Sequence, residues 1–266
     1  MATGATASEN ARVVRLQEVD STNAEALRRA EDGEKGDLWI VAGRQTGGRG
    51  RRGRVWVSEP GNLFVSLLLE QKIAPPLAGQ LSFVAALALH QAIGACAPAL
   101  ESRLALKWPN DVLVGGRKVS GILLERSSVA GGRSIGDAPL VIGFGVNCVS
   151  HPEDLPFPAT DLVCEGADVP ADGVLDELIA AFQREIAAWD GGAGFGAIRD
   201  AWLARAAGVG DEIRVKLPNQ AEICGIFDAI DEEGNLIVHI GEWTRKRISA
   251  GDVFFIARGD VPGHEE

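Results

Sequence analysis

From Gly43 to Arg54 the chain reads GRQTGGRGRRGR, with Arg44, Arg49, Arg51, Arg52 and Arg54 set among glycines inside eleven residues. Glycine lets backbone N–H groups come close to an anion, and guanidinium groups hold phosphate or carboxylate in a bidentate fork. The chain as a whole carries a formal charge of −11, which repels nucleic acid and anionic membranes on approach. A local cationic loop in such a protein therefore points to a small anionic ligand. A solvated basic loop and an RNA-binding arginine–glycine segment are the competing readings. No Gly-Lys-Ser/Thr follows, so the loop is not a Walker A phosphate cradle.

Lys107-Trp108-Pro109-Asn110-Asp111 puts a cation, a rigid turn and a carboxylate within five residues. Proline pushes Trp108 toward extended backbone and fixes the loop carrying Asn110 and Asp111; alone, the segment reads as an ordinary polar turn. Gly115-Gly116 is a two-residue hairpin signal that sets Lys118 at the start of a strand. Lys118 is then either solvated edge charge or, beside a bound carboxylate, the cation that neutralises a reacting oxygen. Gly143 and Gly145 interrupt an apolar strand, which calls for a bulge or the close approach of a ligand. Thr22-Asn23-Ala24-Glu25 matches a capping box, and polar groups at that helix start could also face a ligand. Cys96, Cys148, Cys164 and Cys224 have no short spacing and read as buried free thiols. His90, His151, His239 and His264 show no ligand spacing either, so no metal held by such groups is expected.

The 266 residues, 46% hydrophobic and 24% charged, suit one sizeable domain with a small appendage. No apolar run approaches the ~18 residues of a membrane span, and no secretory leader is read at the start, so a cytoplasmic protein is expected. Residues 1–12 read as a disordered tail, with no room for a helix-turn-helix before Val13. Alternation predicts a strand at 13–19, a helix from Asp20-Ser21-Thr22-Asn23 to Gly33, strands at 39–42 and 62–70, and a buried helix at 80–95. Further strands are expected at 104–106, 112–114, 119–125 and 140–148, and helices at 173–189 and 195–206. This irregular mixture predicts an α+β fold over 13–208, a mixed β-sheet with helices. Short strands at 212–217, 221–230, 236–240 and 245–249 then predict a small β-barrel over 209–266.

Taken in order, DSTN, GRGRRGRVW, KWPND, GRKVSGILLE and GFGVN resemble the motif set of the biotin protein ligases. The resemblance implies a catalytic domain similar to class II aminoacyl-tRNA synthetases, followed by an SH3-like barrel. It implies ATP-dependent conversion of biotin to an acyl-adenylate and transfer to a lysine of a biotin carboxyl carrier domain, such as that of acetyl-CoA carboxylase. By the same resemblance Lys118 and Arg51 are catalytic. Ser21, Thr22, Asn23, Gln45, Gly48 and Arg49 face biotin together with Arg51 and Lys118, and Gly121, Gly143 and Gly145 line its pocket with backbone. Arg49, Arg51, Arg52, Lys107, Asn110, Lys118 and Asn147 face ATP or the adenylate, Trp56 packs near the adenine, Asp111 helps to hold Mg²⁺, and Arg247 reaches in from the barrel.

The chain departs from one branch of the family in showing no N-terminal DNA-binding domain, so a ligase without DNA binding is expected; a homodimer is left open. A lipoate or octanoate ligase or transferase of the same architecture is the enzymatic alternative. A non-enzymatic RNA-binding module is the other, disfavoured by net acidity and by the lack of aromatic stacking groups beside the loop. The glycine content of the loop predicts that it moves when no ligand is bound.

Overall fold

The computed structural model describes residues 11–127, 138–241 and 243–256. The expected tail thus lies outside the described residues apart from Ala11 and Arg12, as does His264. Arg12 is held, bonding the Lys35 carbonyl and the Glu34 carboxylate.

Seven strands form one mixed sheet: β1 (Val13–Leu16), β2 (Leu38–Ala42), β3 (Leu63–Leu69), β4 (Leu104–Lys107), β5 (Asp111–Val114), β6 (Arg117–Arg126) and β7 (Leu140–Val146), in the order β1-β2-β3-β7-β6-β5-β4. β1 and β2 are parallel and every other pair is antiparallel. β3 and β7 are buried at every residue because they lie mid-sheet with both faces covered, which is why they read as unbroken apolar runs. On one face α1 (Thr22–Glu31) covers a small core of Ala26, Leu38, Ile40, Leu68 and Val141. The other face carries α3 (Leu81–Cys96), preceded by the single turn α2 (Pro75–Ala78), and α4 (Ala171–Trp189); α5 (Phe195–Leu203) packs on α3. Trp39 meets Phe182 edge-on and stacks on Phe144, with centroids at 5.8 and 6.1 Å. The helical stretch Pro75–Cys96 is long and apolar enough to cross a membrane by composition, contrary to the sequence reading, but most of it is buried as the central core helix.

After α5, β8 (Glu212–Lys216), β9 (Glu222–Ile230), β10 (Leu236–Ile240), β11 (Thr244–Ile248) and β12 (Asp252–Phe255) form an antiparallel sheet in the order β11-β10-β9-β8-β12. Its 231–234 turn is fastened to the first domain. Trp108 Nε1 donates to the Gly234 carbonyl at 3.1 Å, and Gln80 Nε2 donates to that of Glu232 at 3.1 Å while its Oε1 accepts from Trp189.

Three local expectations need correction. The first strand stops at Leu16, and Val19 makes only an isolated bridge to Gln45. α1 is capped one residue earlier than the sequence suggests: Ser21 Oγ accepts from the Ala24 N–H, and Glu25 pairs with Arg28 and Arg29, so Thr22 is free to point elsewhere. Only Cys148 of the four thiols is buried; Cys96 is half-buried, and Cys164 and Cys224 are exposed.

Candidate active site

A cleft of about 350 Å³ opens over β6 and β7, walled by the Gly/Arg loop, the KWPND turn, the 152–159 segment and β12. Its floor is glycine. β7 runs without a bulge, and Gly143 and Gly145 pair in register with Ser66 and Phe64 on one side and with Leu123 and Gly121 on the other. A Cβ on Gly143 would strike the Asn23 amide, and one on Gly145 would lie 2.5–2.7 Å from the Trp56 indole. Close approach therefore explains both glycines, here by side chains of the protein itself.

One end of the cleft is neutral and hydrogen-bonded. Freed from capping, Thr22 donates from its N–H and hydroxyl to Gln45 Oε1 at 2.8 and 3.1 Å. Ser66 Oγ lies 2.7 Å from Thr22 Oγ1 and 2.5 Å from Asn23 Oδ1, and Gln45 Nε2 donates to Ser58 at 3.0 Å. Asn23 Nδ2 donates to Glu125 at 2.8 Å, and the same carboxylate pairs with Arg49 at 3.4 Å. Gly48 is wedged under this network, its would-be Cβ 2.5 Å from the Trp56 carbonyl and 2.6 Å from Ser58 Oγ.

The other end is cationic. Lys118 Nζ sits 2.7 Å from Asp111 and lies over the rings of Trp56 and Phe157, at 5.5 and 5.2 Å from their centroids. The Gly115-Gly116 turn has both φ angles positive, at 56° and 79°, as a tight hairpin requires, and so aims Lys118 from the start of β6. Lys107 Nζ is enclosed by Phe157, Phe254 and Phe255 at 5.7–5.8 Å, and burial depresses its proton affinity below the ordinary lysine value. Arg51 donates to Asn110 Oδ1 at 3.2 Å, and burial lowers its pKa likewise. Asn110 Nδ2 holds the Ile122 carbonyl, and Asn147 Nδ2 donates to that of Thr160 at 3.0 Å.

Most of the residues singled out in the sequence thus converge on one cleft, with differences in detail. Arg52, in the left-handed region at φ 58°, turns away to pair with Asp252 at 3.0 Å, and Arg54 pairs with the same carboxylate at 2.7 Å. Arg247 pairs with Asp231 and Glu233 and does not line the cleft. Trp56 packs on Gly121 and Gly145, the floor that the resemblance gives to biotin, and its buried Nε1 has no partner among the described residues. The Gly/Arg loop forms a small hairpin, bridged at Arg49 and Val55 and docked on β12. Sequence reasoning gave no role to Ser58, Ser66, Glu125, Phe157 and Asp252; of these only Glu125 falls inside a motif, as the last residue of GRKVSGILLE. It also missed that His151 and Asp161 bond at 2.6 Å with Cys164 beside them.

The profile described as the biotin/lipoate A/B protein ligase family matches residues 13–147, and that of the biotin protein ligase C-terminal domain matches 208–256. The biotin–acetyl-CoA-carboxylase ligase of Paracoccus denitrificans is 46% identical over 247 residues, covering 90% of this chain and 99% of its own length. That of Mycobacterium tuberculosis is 32% identical over 249 residues, covering 90% and 86%. The biotin protein ligase of Aquifex aeolicus, solved in complex with biotin and ATP, superposes with a TM-score of 0.74 at 29% identity, over 91% of this chain and 97% of that one. The chain belongs to the biotin/lipoate A/B protein ligase family, as one of its biotin protein ligases.

Proposed function

We infer that the chain is an ATP-dependent ligase that joins biotin to AMP and passes the biotinyl group to a lysine of a biotin carboxyl carrier domain. The observation that carries this reading is the division of one cleft into a neutral, hydrogen-bonded end and an end where Arg51, Lys107 and Lys118 converge. A neutral polar ring suits the first, and a carboxylate meeting a triphosphate suits the second.

On this reading the biotin carboxylate attacks the α-phosphorus of ATP and pyrophosphate leaves. Lys118 and Arg51 supply fixed positive charge where the crowded polyanion forms, already oriented before the reaction begins. Lys107, Asn110 and Asn147 stand on the nucleotide side. Ser21, Thr22, Asn23 and Gln45 face the biotin ring, Gly121, Gly143 and Gly145 give it room by lacking side chains once Trp56, which covers Gly121 and Gly145, moves aside, and Arg49 closes over it from Gly48. Lys118 is released from Asp111 when a substrate oxygen takes its place. Among the described residues two carboxylates line the cleft, Asp111 and Asp252, and magnesium is commonly held by one or two carboxylates with phosphate oxygens and water completing the octahedron, so the donor set suits it. Bound through Asp111, Mg²⁺ would neutralise phosphate charge. The mixed anhydride then lies under the Gly/Arg loop, away from water, until the neutral amine of the acceptor lysine attacks its carbonyl, the acyl–phosphate C–O bond breaks, AMP leaves and the amine proton passes to solvent. Residues 13–208 serve as the catalytic unit, similar in architecture to class II synthetases, and 209–266 as an SH3-like barrel whose β12 edge backs the loop. Dependence on ATP and on a carrier domain suits a reaction in the cytoplasm.

Biotin-dependent exchange of labelled pyrophosphate into ATP by the purified protein, with lipoate and octanoate in parallel, tests this. Exchange with biotin alone is expected. Exchange with another acid alone would keep the chemistry and change the substrate, and none with any acid would overturn the reading.

A further inference from the structure

Beyond the cleft, the chain leaving β7 turns back on itself and brings three unlike donors together. His151 Nδ1 lies 2.6 Å from Asp161 Oδ2, and one ligand atom from each of His151, Asp161 and Cys164 falls within 4.8 Å of the others. The supports are in place before any ligand arrives. Asp161 has a side chain only 2% exposed, and its second oxygen accepts the Cys164 N–H at 2.7 Å, which aims Oδ2 at the histidine. Leu162 and Val163, between the two ligands, bond the carbonyls of Asn147 and Cys148 at 3.1 Å each. Cys164 is exposed, so an entering ion has a path and a solvent-facing fourth position.

We propose that His151, Asp161 and Cys164 form a site for a single zinc-class divalent cation. Thiolate, imidazole and carboxylate together select a borderline-soft metal, whereas magnesium prefers an all-oxygen shell. Tetrahedral zinc at bond lengths of about 2.0–2.3 Å sets its donors roughly 3.3–3.8 Å apart. The His151–Asp161 pair therefore opens a little and Cys164 moves inward. The cation replaces the proton between Nδ1 and Oδ2, the imidazole carries its N–H on Nε2, and the thiol gives its proton to solvent.

The position gives the site a consequence. His151 and Asp161 form the neck of a loop whose far side walls the cleft with Phe157. The loop backbone brackets Lys118: the Lys118 N–H bonds the Pro158 carbonyl and the Thr160 N–H bonds that of Lys118, both at 2.9 Å. A metal at the neck staples the segment that positions the lysine.

Cobalt(II) titration of the purified, metal-stripped full chain tests the proposal. Expected are one equivalent bound, a near-ultraviolet thiolate-to-cobalt charge-transfer band, and its loss when one equivalent of zinc is added. Cys164→Ser should abolish the band, His151→Ala should weaken binding at least tenfold, and Cys224→Ser, which removes another exposed thiol, should change nothing. Thermal melting of each variant verifies its fold. No band in the wild type, a band that survives Cys164→Ser, or undiminished affinity in a folded His151→Ala would each overturn the site.

Discussion

At the neutral end of the cleft Thr22, Asn23, Gln45, Ser58 and Ser66 satisfy one another at 2.5–3.1 Å, while at the other end Lys107, Lys118 and Arg51 gather around Asp111. The first arrangement is already satisfied, so its groups are held in place at no electrostatic cost. The second is rich in half-buried positive charge, which on the proposed reading a polyanion would relieve. On the proposed reading, shape recognition and charge stabilisation are kept apart along one cleft, and each can be broken separately.

The largest effect is expected at the charged end. Lys118→Ala should slow pyrophosphate exchange on the order of 10²–10³-fold, the usual loss for one preorganised group facing developing charge, with melting temperature little changed. A variant exchanging at the wild-type rate would sink the assignment. Gly143→Ala attacks the neutral end: its methyl meets Asn23, which is pinned by Ser66 and Glu125, and overpacking of this kind costs about 1–3 kcal/mol. The expected outcome is a rise of roughly tenfold in the KM for biotin with the KM for ATP unmoved, measured by steady-state exchange.

Lys107→Met sharpens the contrast through stability. Burial sets the folded-state pKa of Lys107 below the ordinary 10.5, so protonation disfavours the folded protein. That penalty is complete below the folded pKa and fades as pH rises from there toward 10.5. The variant should melt a few degrees higher at neutral pH, by about 1 kcal/mol, with the gain shrinking in alkali, and should use ATP poorly. An unchanged or lower melting temperature at neutral pH would contradict the burial argument. The smallest effect belongs to Asp252→Asn. Its ion pairs with Arg52 and Arg54 are partly exposed and together contribute no more than about 1 kcal/mol. A several-fold change in the KM for ATP with the melting curve unmoved is expected; a large loss of stability would mean that the loop is a structural strut.

The contrast also explains what could be read from the sequence. β3 and β7 are legible because burial on both faces leaves an unbroken apolar run, and the Gly115-Gly116 turn because only glycine pairs adopt it cheaply. The charged end is legible because cations and glycines in one loop have few structural uses. The neutral end is not: Ser58 and Ser66 look like any serine, and Thr22 and Ser21 exchange roles by one residue in a helix cap. β12 was missed because DVFF is four residues long and earns its place only through pairing with β8. Asp252 meets Arg52 across 200 positions of sequence, a separation at which no local pattern survives.

β12 is the last made of the described strands, yet Asp252, Val253 and Phe254 wall the cleft and the Gly251 carbonyl accepts from Arg51 at 3.5 Å. During synthesis the glycine floor, both lysines and the arginine loop all leave the ribosome before the wall that completes them. A chain that has not yet added β12 has no finished cleft. The cleft is complete only when this strand has paired with β8, so the last-made stretch of the described chain is also a wall of the site.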